Sequence, residues 1–204
     1  MDPALIALAF GAIFIVELPD KTFIAALVLS TRYRPLAVWI GVGLAFGVQT
    51  VVAVTAGALT TLVDDRIVKA VALAIFLIGA IVLVRTAPGA DAKEKEEEEE
   101  FAAKAAEPKT FWRAALASFL VLFAAEWGDL SQLLTISMVG NYHDHLNIFL
   151  GAWGALLTVS GLAVVAGRVL LRYMRLSLLH YIGAAVCVAL AAYTAYELVD
   201  LIAH

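Results

Sequence analysis

Charged residues are scarce in this chain, and cysteine is nearly absent. Asp, Glu, Lys and Arg make up 16% of the 204 residues, against about 25% in a typical soluble domain. The single Cys187 lies in an apolar segment, which excludes a disulfide framework and predicts a small buried side chain. A His-Glu-x-x-His pattern, a nucleophile elbow and a glycine-rich phosphate loop are also missing, which argues against an intramembrane enzyme.

Apolar residues make up 63% of the chain, and its mean hydropathy is +0.91. They form six runs of roughly 20 residues or more, enough to cross a hydrocarbon core about 30 Å thick. Backbone groups in lipid must be satisfied within the segment, which favours helices. We therefore predict an all-α polytopic membrane protein with six transmembrane helices, at about 4–30, 36–62, 67–86, 111–139, 146–171 and 177–203.

The basic residues predict how these six spans are oriented. Eleven of the fourteen Lys and Arg residues fall on the side of the connections after spans 1, 3 and 5, and only Arg66 and Lys69 fall on the other side. Cytoplasmic loops are rich in Lys and Arg, so the connection 87–110 is expected in the cytoplasm and both termini outside. The start Met1-Asp2-Pro3 lacks a basic region, so we expect span 1 to be retained rather than cleaved. The short loops suggest a bacterial plasma (inner) membrane.

Two acidic motifs divide the chain into similar halves. Glu17-Leu18-Pro19-Asp20-Lys21-Thr22 and Glu126-Trp127-Gly128-Asp129-Leu130-Ser131 match at an offset of 109. Each half has three spans, an odd number, so the second half enters the membrane from the opposite side. This predicts two inverted three-helix repeats, a plan typical of secondary transporters with a midplane site. The divisions are repeat one at 1–86, an acidic linker at 87–110 and repeat two at 111–204.

The linker carries a dense charge run from Lys93 to Glu100. Such a run is typical of a solvated segment or a short exposed helix, and its composition cannot build a packed core. A regulatory cation-binding role is the alternative that we consider for it.

The acids inside the apolar runs indicate an ion or proton path, because carboxylates at membrane depth are costly. On a helix, Glu17 and Asp20 are three residues apart and share a face, as do Glu126 and Asp129. Bringing the inverted halves together would place four carboxylates around one cavity, where unpaired charges repel strongly. Protonation or a divalent cation relieves that repulsion, so the pattern predicts a site that exchanges the two.

Oxygen ligands of this kind suit magnesium, calcium and manganese, whereas zinc and copper prefer His or Cys. Further oxygens can come from Thr22 and Ser131 in the motifs and from Gln49 and Gln132 near them. Thr50, Thr158 and Ser160 lie in the second span of each half, but an isolated hydroxyl in such a helix usually bonds its own backbone. We expect the cation to be a substrate and expect no resident cofactor.

Three residues within the motifs need separate interpretation. Pro19 removes a backbone donor and predicts a kink, while the matching Gly128 permits close backbone approach; both favour a locally opened helix whose carbonyls face an ion, with a plain kink as the alternative. Lys21 follows Glu17 by four residues, a favourable order for an ion pair. We favour a structural partner for one carboxylate over a tethered cation that competes with the substrate, since the matching residue is Leu130.

At these motifs the chain resembles the small six-helix exchangers of divalent cations for protons, the Gdt-type family whose members handle calcium and manganese. The hallmark of that family is Glu-x-Gly-Asp-(Lys/Arg)-(Thr/Ser), once per half. The first copy here has Pro19 in place of Gly, and the second has Leu130 in place of the basic residue. The resemblance implies that the cation is bound by four acids assisted by two hydroxyls, at Glu17, Asp20, Glu126, Asp129, Thr22 and Ser131.

The resemblance also implies export of manganese or calcium from the cytoplasm, driven by proton entry. An exporter of amino acids or similar small solutes, a related six-helix design, is the alternative, although its substrate needs sites for both an ammonium and a carboxylate. A pure proton channel would not require both acid pairs. The expected partners are the cation, protons and the lipid bilayer, with no nucleic acid; the sequence leaves the oligomeric state open.

Overall fold

The computed structural model describes residues 1–18, 20–104, 110–173 and 176–203. Helices make up 92% of the structure, and no strand occurs within those ranges, so the predicted all-α class is confirmed. The α-helices are α1 (Pro3–Glu17), α2 (Lys21–Arg32), α3 (Pro35–Leu59), α4 (Asp65–Thr86), α5 (Ala90–Lys104), α6 (Phe111–Ala125), α7 (Leu130–Tyr142), α8 (His145–Tyr173) and α9 (Leu176–Ala203).

Four unbroken helical segments are long and apolar enough to cross a membrane: Pro35–Leu59, Asp65–Gly89, His145–Ala166 and Ser177–Ile202. Two further candidates are bent pairs, α1 with α2 and α6 with α7, whose axes turn by 71° and 72°. The described residues thus contain four candidate spans, or six if each bent pair is one crossing. Spans 1 and 4 each fold as two helices rather than as one continuous helix, and the break at Gly128 agrees with the locally opened helix that this glycine favours. Six crossings stay a prediction.

Short polar side chains fix where several helices begin. The carboxylates of Asp2, Asp64 and Asp129 each accept a hydrogen bond from a backbone N–H in the first turn of the helix that follows. The hydroxyl of Thr110 does the same for α6. These groups satisfy donors that have no partner within the helix, so the helix starts follow from local sequence.

Helices α3 and α8 lie at the centre of the bundle. Helix α3 packs against α6, α7 and α8, and α8 packs against α1, α2 and α3, while α4 packs along α9. Large apolar side chains such as Leu44, Val71, Leu116 and Val165 are exposed on the outside. An exterior with many exposed apolar side chains fits a lipid environment, and together with the candidate spans it makes the chain a multi-pass membrane protein.

Close backbone contacts join the segments before and after α5. A Cβ at Gly151 of α8 would lie 2.6 Å from the carbonyl oxygen of Ile6 in α1, and a Cβ at Gly41 of α3 would overlap the carbonyl of Ala115 in α6. The indole N–H of Trp153 in α8 donates to the carbonyl oxygen of Gly43 in α3 at 3.0 Å. Small residues let membrane helices approach closely, so the two segments interlock rather than sit side by side.

Helix α5 occupies the linker and packs against α2 and α9. Ala90 and Phe101 are buried, with 6% and 4% of their surfaces exposed. Of the two expected forms, a solvated segment or a short exposed helix, the structure has a helix, but this helix is exposed on only part of its surface. One face of the helix is docked because two apolar residues at its ends reach the core.

Candidate cation site

Both bent pairs break at the acidic motif. Glu17 ends α1 and Asp20 caps α2, while Glu126 caps the end of α6 and Asp129 caps α7. The N–H of each aspartate donates to the carbonyl of the glutamate three residues earlier, at 3.0 Å in the first half and 3.4 Å in the second. The predicted shared helical face is therefore wrong, because each acid pair is held across a turn between two helices.

The turn in the second half depends on Gly128. Its φ angle is +81°, in the left-handed region that favours glycine. A Cβ built on Gly128 meets no atom within 4 Å, so the prediction that this glycine permits close backbone approach is wrong. The helix opens here because of the backbone conformation itself. Pro19, at the matching place, lies outside the described residues, and its predicted kink stays a prediction.

The two breaks meet in space and bring the four acids together. One carboxylate oxygen from each of Glu17, Asp20, Glu126 and Asp129 lies within 4.8 Å of the other three. Glu17 is fully buried and Glu126 is 3% exposed, whereas both aspartates are partly exposed. The convergence of the two acid pairs was predicted from the repeat, and their role as cation ligands stays a prediction.

The buried glutamate oxygens have no neutralising contacts. Both carboxylate oxygens of Glu17 and both of Glu126 lack a hydrogen-bond partner among the described residues, although buried polar groups are normally bonded. Two unit charges placed on oxygens no more than 4.8 Å apart repel by at least about 3.5 kcal/mol at an effective dielectric constant of about 20. The cluster therefore requires added positive charge, which a metal ion or protons supply.

Two predicted hydroxyl ligands lie beside these acids. Thr22 is fully buried next to both glutamates, and its hydroxyl has no hydrogen-bond partner within the described part of the chain. Ser131 has its hydroxyl 3.5 Å from Oδ2 of Asp129, which also accepts from the Ser131 backbone N–H at 3.3 Å. The Thr22 oxygen is available to a cation, whereas the Ser131 hydroxyl serves first to orient Asp129.

The two predicted glutamine ligands instead contact the broken helices. The Gln49 side chain donates to the carbonyl oxygen of Phe123 in α6 at 3.1 Å. The Gln132 amide oxygen accepts from the N–H of Gly128 at 3.0 Å, and its buried amide nitrogen has no partner among the described residues. Gln132 thus holds the turn at Gly128, a role that sequence reasoning missed because it depends on the break.

The remaining hydroxyl candidates bond their own helices, as predicted for isolated hydroxyls. Thr50 donates to the carbonyl of Phe46 at 2.7 Å, and Thr158 and Ser160 donate to carbonyls within α8. These hydroxyls therefore donate their protons to backbone oxygens of their own helices, and Thr50 also lines the small cavity next to Glu126.

Lys21 contributes a positive charge from across the break. Its Nζ lies 3.7 Å from Oδ1 of Asp129, with the two side chains 34% and 15% exposed. The predicted pairing with Glu17 along one helix is wrong, because Lys21 begins α2 after the turn that ends α1. The lysine still offsets one carboxylate, as a structural partner would, but that carboxylate, Asp129, belongs to the second half of the chain.

The helix ends add partial charges to the same place. The C-terminal ends of α1 and α6, at Glu17 and Glu126, carry partial negative charge, and the N-terminal ends of α2 and α7, at the aspartates, carry partial positive charge. Half-helices that end at an ion site are typical of secondary transporters, where carbonyl ends attract the cation and N-terminal ends attract anions. The breaks therefore bring helix ends of both signs to the carboxylate cluster, an arrangement that fits a cation site.

A cavity of about 170 Å³ opens beside the cluster. Its polar lining comes from Asp20, Lys21 and Asp129 at the cluster and from Lys93, Glu97 and His180 on α5 and α9. A smaller cavity of about 10 Å³ lies next to Glu126, at the scale of a single water molecule. The larger cavity gives the carboxylates a polar route toward α5.

Comparison with known proteins identifies a family over most of the chain. The family described as "Divalent cation/proton antiporter GDT1" has a model that matches residues 5–91 and 114–201. These two matched segments contain both acidic motifs and omit residues 92–113, which include nearly all of α5. No solved structure matches the chain.

Several curated relatives match at modest identity. The chain is 29% identical to Protein PAM71-homolog, chloroplastic, from Arabidopsis thaliana, over 91% of this chain and 57% of that protein. It is 28% identical to Protein PAM71, chloroplastic, from the same plant, over 95% and 57%. A GDT1-like protein from Synechocystis sp. is 32% identical over 75% and 80%. The chain therefore spans about half the length of the two plant relatives.

Proposed function

Because the chain belongs to the GDT1 family of divalent cation/proton antiporters, we propose that it exchanges a divalent cation for protons at one site, formed by Glu17, Asp20, Glu126 and Asp129. Thr22 and Ser131 assist as oxygen donors in this proposal, and Gln49 and Gln132 stand at its edge. The observation that carries the proposal is the convergence of the four carboxylates within 4.8 Å, including two buried glutamates without partners.

Exchange follows from the fact that one set of oxygens must be neutralised in two ways. With a divalent cation bound, the carboxylates are ligands and must be ionised. With the cation gone, their mutual repulsion favours protons on the same oxygens. Cation and protons therefore cannot occupy the site together, so carrying the cation across the membrane in one direction is coupled to carrying protons in the other.

The proposed topology is six crossings in two inverted repeats, at residues 1–86 and 111–204, with the linker 87–110 in the cytoplasm and both termini outside. The distribution of Lys and Arg supports this orientation. The paired contacts of α1 with α8 at Gly151, and of α3 with α6 at Gly41, fit a two-fold relation between the halves. We place the protein in a plasma membrane, as an exporter driven by proton entry.

Manganese and calcium are the proposed substrates. Both accept carboxylate and hydroxyl oxygens, which are the donors that the cluster offers. His and Cys ligands, which zinc and copper prefer, are missing from the cluster, since its titratable members in the described residues are four acids and Lys21.

The experiment that tests this function measures Mn²⁺ flux and internal pH together in proteoliposomes that contain the purified full chain. We expect Mn²⁺ movement to be accompanied by opposite proton movement, and Glu126→Gln to abolish both because one buried ligand and one charge are lost. Ca²⁺ in place of Mn²⁺ under the same conditions gives the preference between the two ions.

Glu99→Gln is the matched control, since it makes the same chemical change on an exposed residue of α5. It should transport like the unmodified protein. Equal flux in Glu126→Gln and the control would reject the assigned site, and Mn²⁺ movement without a pH change would reject proton exchange.

A further inference from the structure

One glutamate of the linker helix, Glu97, lines the cavity beside the acidic cluster. Ala90, Glu97 and Phe101 are spaced by seven and four residues, which places them on one face of an α-helix. Ala90 and Phe101 are buried and fix that face against the bundle. Glu97 and Glu98 are partly buried, whereas Glu96 and Glu99 remain exposed. Of these four glutamates, Glu97 lines the cavity beside the acidic cluster.

The inward face of α5 shares a cavity with the acidic cluster. Glu97 lines the cavity of about 170 Å³ that also touches Asp20 and Asp129. A polar cavity needs only about 10–15 Å³ to hold one water molecule, so this one has room for a cation with part of its water shell. Lys93 also lines the cavity and is exposed, so the end of the cavity next to α5 reaches the protein surface.

The charges along this cavity are mixed and close enough to influence one another. Glu97 lies within electrostatic range of Lys93, Lys21, Glu100 and His180. Burial raises the pKa of the Glu97 carboxyl, while Lys93 and Lys21 act in the opposite direction. The carboxylate has thus lost part of its water shell in the place where a passing cation would replace it.

We propose that Glu97 is a loading residue, whose carboxylate holds a hydrated divalent cation on the α5 side of the cavity before the ion reaches Asp20 and Asp129. The linker helix is then part of the transport route. Carboxylate oxygen is the donor that hard divalent ions prefer, and a negative charge in a narrow cavity raises the local cation concentration and the rate of entry. The proposal rests on the cation exchange proposed above.

The test compares Glu97→Gln with Glu99→Gln in proteoliposomes of known orientation, with α5 facing the added Mn²⁺. We expect Glu97→Gln to raise the half-saturating Mn²⁺ concentration by about three- to tenfold, at the lower end of electrostatic focusing effects, and to leave the maximal rate within about twofold. Glu97→Asp should restore most of the affinity. Glu99→Gln, on the opposite side of the same helix, should match the unmodified protein.

Lys93→Gln provides a second measurement of opposite sign, because it removes a positive charge from the same cavity. It should lower the half-saturating Mn²⁺ concentration, and it keeps the test available if Glu97→Gln fails to fold. A purely structural role for α5 would make both changes weaken transport, which overturns the inference. Identical Mn²⁺ dependence in Glu97→Gln and Glu99→Gln also overturns it, whereas failure of the unmodified protein to exchange Mn²⁺ for protons overturns the proposed function instead.

Discussion

Replacing Gly128 tests whether the turn depends on its backbone conformation or on packing, because the two predict different losses of stability. In Gly128→Ala the new methyl group meets no atom within 4 Å, so a steric clash contributes nothing. The φ angle of +81° remains unfavourable for alanine, and the left-handed conformation costs about 1–2 kcal/mol. Loss of chain entropy in the unfolded state returns about 0.4–1 kcal/mol. The expected net destabilisation is about 1 kcal/mol, or roughly fivefold in the ratio of folded to unfolded protein.

The assay is equilibrium unfolding in mixed micelles, measured by tryptophan fluorescence. Refolding of the same samples checks that the transition is reversible. Gly128→Asn should be milder than Gly128→Ala, because asparagine tolerates the left-handed region, and Gly128→Val should be more severe, because β-branched residues are outliers there. Gly154→Ala is the control inside α8, where the new methyl group would contact Phe10 at an ordinary 3.7 Å. It should stabilise the helix by up to about 1 kcal/mol.

The order of these variants decides whether the reasoning is correct. If Gly128→Ala were as stable as the unmodified protein, or Gly128→Val no worse than Gly128→Ala, the left-handed turn would not be required for the fold. A transport measurement on the same variants adds a functional consequence. Strain at this turn shifts Asp129 relative to Glu126, so Mn²⁺ affinity should fall in the same order as stability.

Two further changes test the contacts between the halves. Lys21→Met should lower the half-saturating Mn²⁺ concentration by up to about fivefold, since a partly exposed ion pair such as that with Asp129 contributes about 0.2–1 kcal/mol. A higher half-saturating concentration would instead indicate that Lys21 positions Asp129 for binding. Gly151→Ala should lower stability in the unfolding assay by about 1–3 kcal/mol, because its Cβ would lie 2.6 Å from a carbonyl oxygen of α1, and stability equal to Gly154→Ala would contradict this packing.

The convergence of the acids could be predicted because it depends on a global pattern. Matching motifs at Glu17 and Glu126, in segments of three apolar runs each, predict that two equivalent places meet when the halves pack together. That inference needs no local detail, because costly carboxylates in lipid must share a polar environment wherever they are. The structure accordingly brings together the four acids that the repeat selected.

The local geometry could not be predicted, because one spacing fits two conformations. Acids three residues apart lie on one face of a helix, but they also lie across a tight turn, as Glu126 and Asp129 do. The deciding term is the φ angle of Gly128. The glycine favours a local opening, but its presence does not fix the turn, because an isolated glycine is also tolerated within a helix. The ion pair of Lys21 and the contact of Gln132 follow from the break, so they were out of reach as well.

The packing of one face of α5 against the bundle could not be predicted from the sequence for a different reason. In a segment from Lys93 to Glu100 the charged composition predicts solvation, and two apolar side chains at the ends of the helix decide the outcome. Ala90 and Phe101 each give too small a signal to outweigh eight consecutive charged residues. Composition averages over the helix, whereas docking depends on where these two apolar side chains lie on it.

The charge balance of the cluster favours divalent over monovalent cations. Four ionised carboxylates and Lys21 leave three negative charges, which a divalent ion reduces to one and a monovalent ion only to two. The residual repulsion is therefore larger with a monovalent ion, and each remaining charge pair costs several kcal/mol in a site of low dielectric constant. A divalent ion cannot leave unless positive charge replaces it, and protons are the replacement that carboxylate oxygens accept without new ligands. The proposed exchange would thus follow from placing four acids where two pairs of helix ends meet.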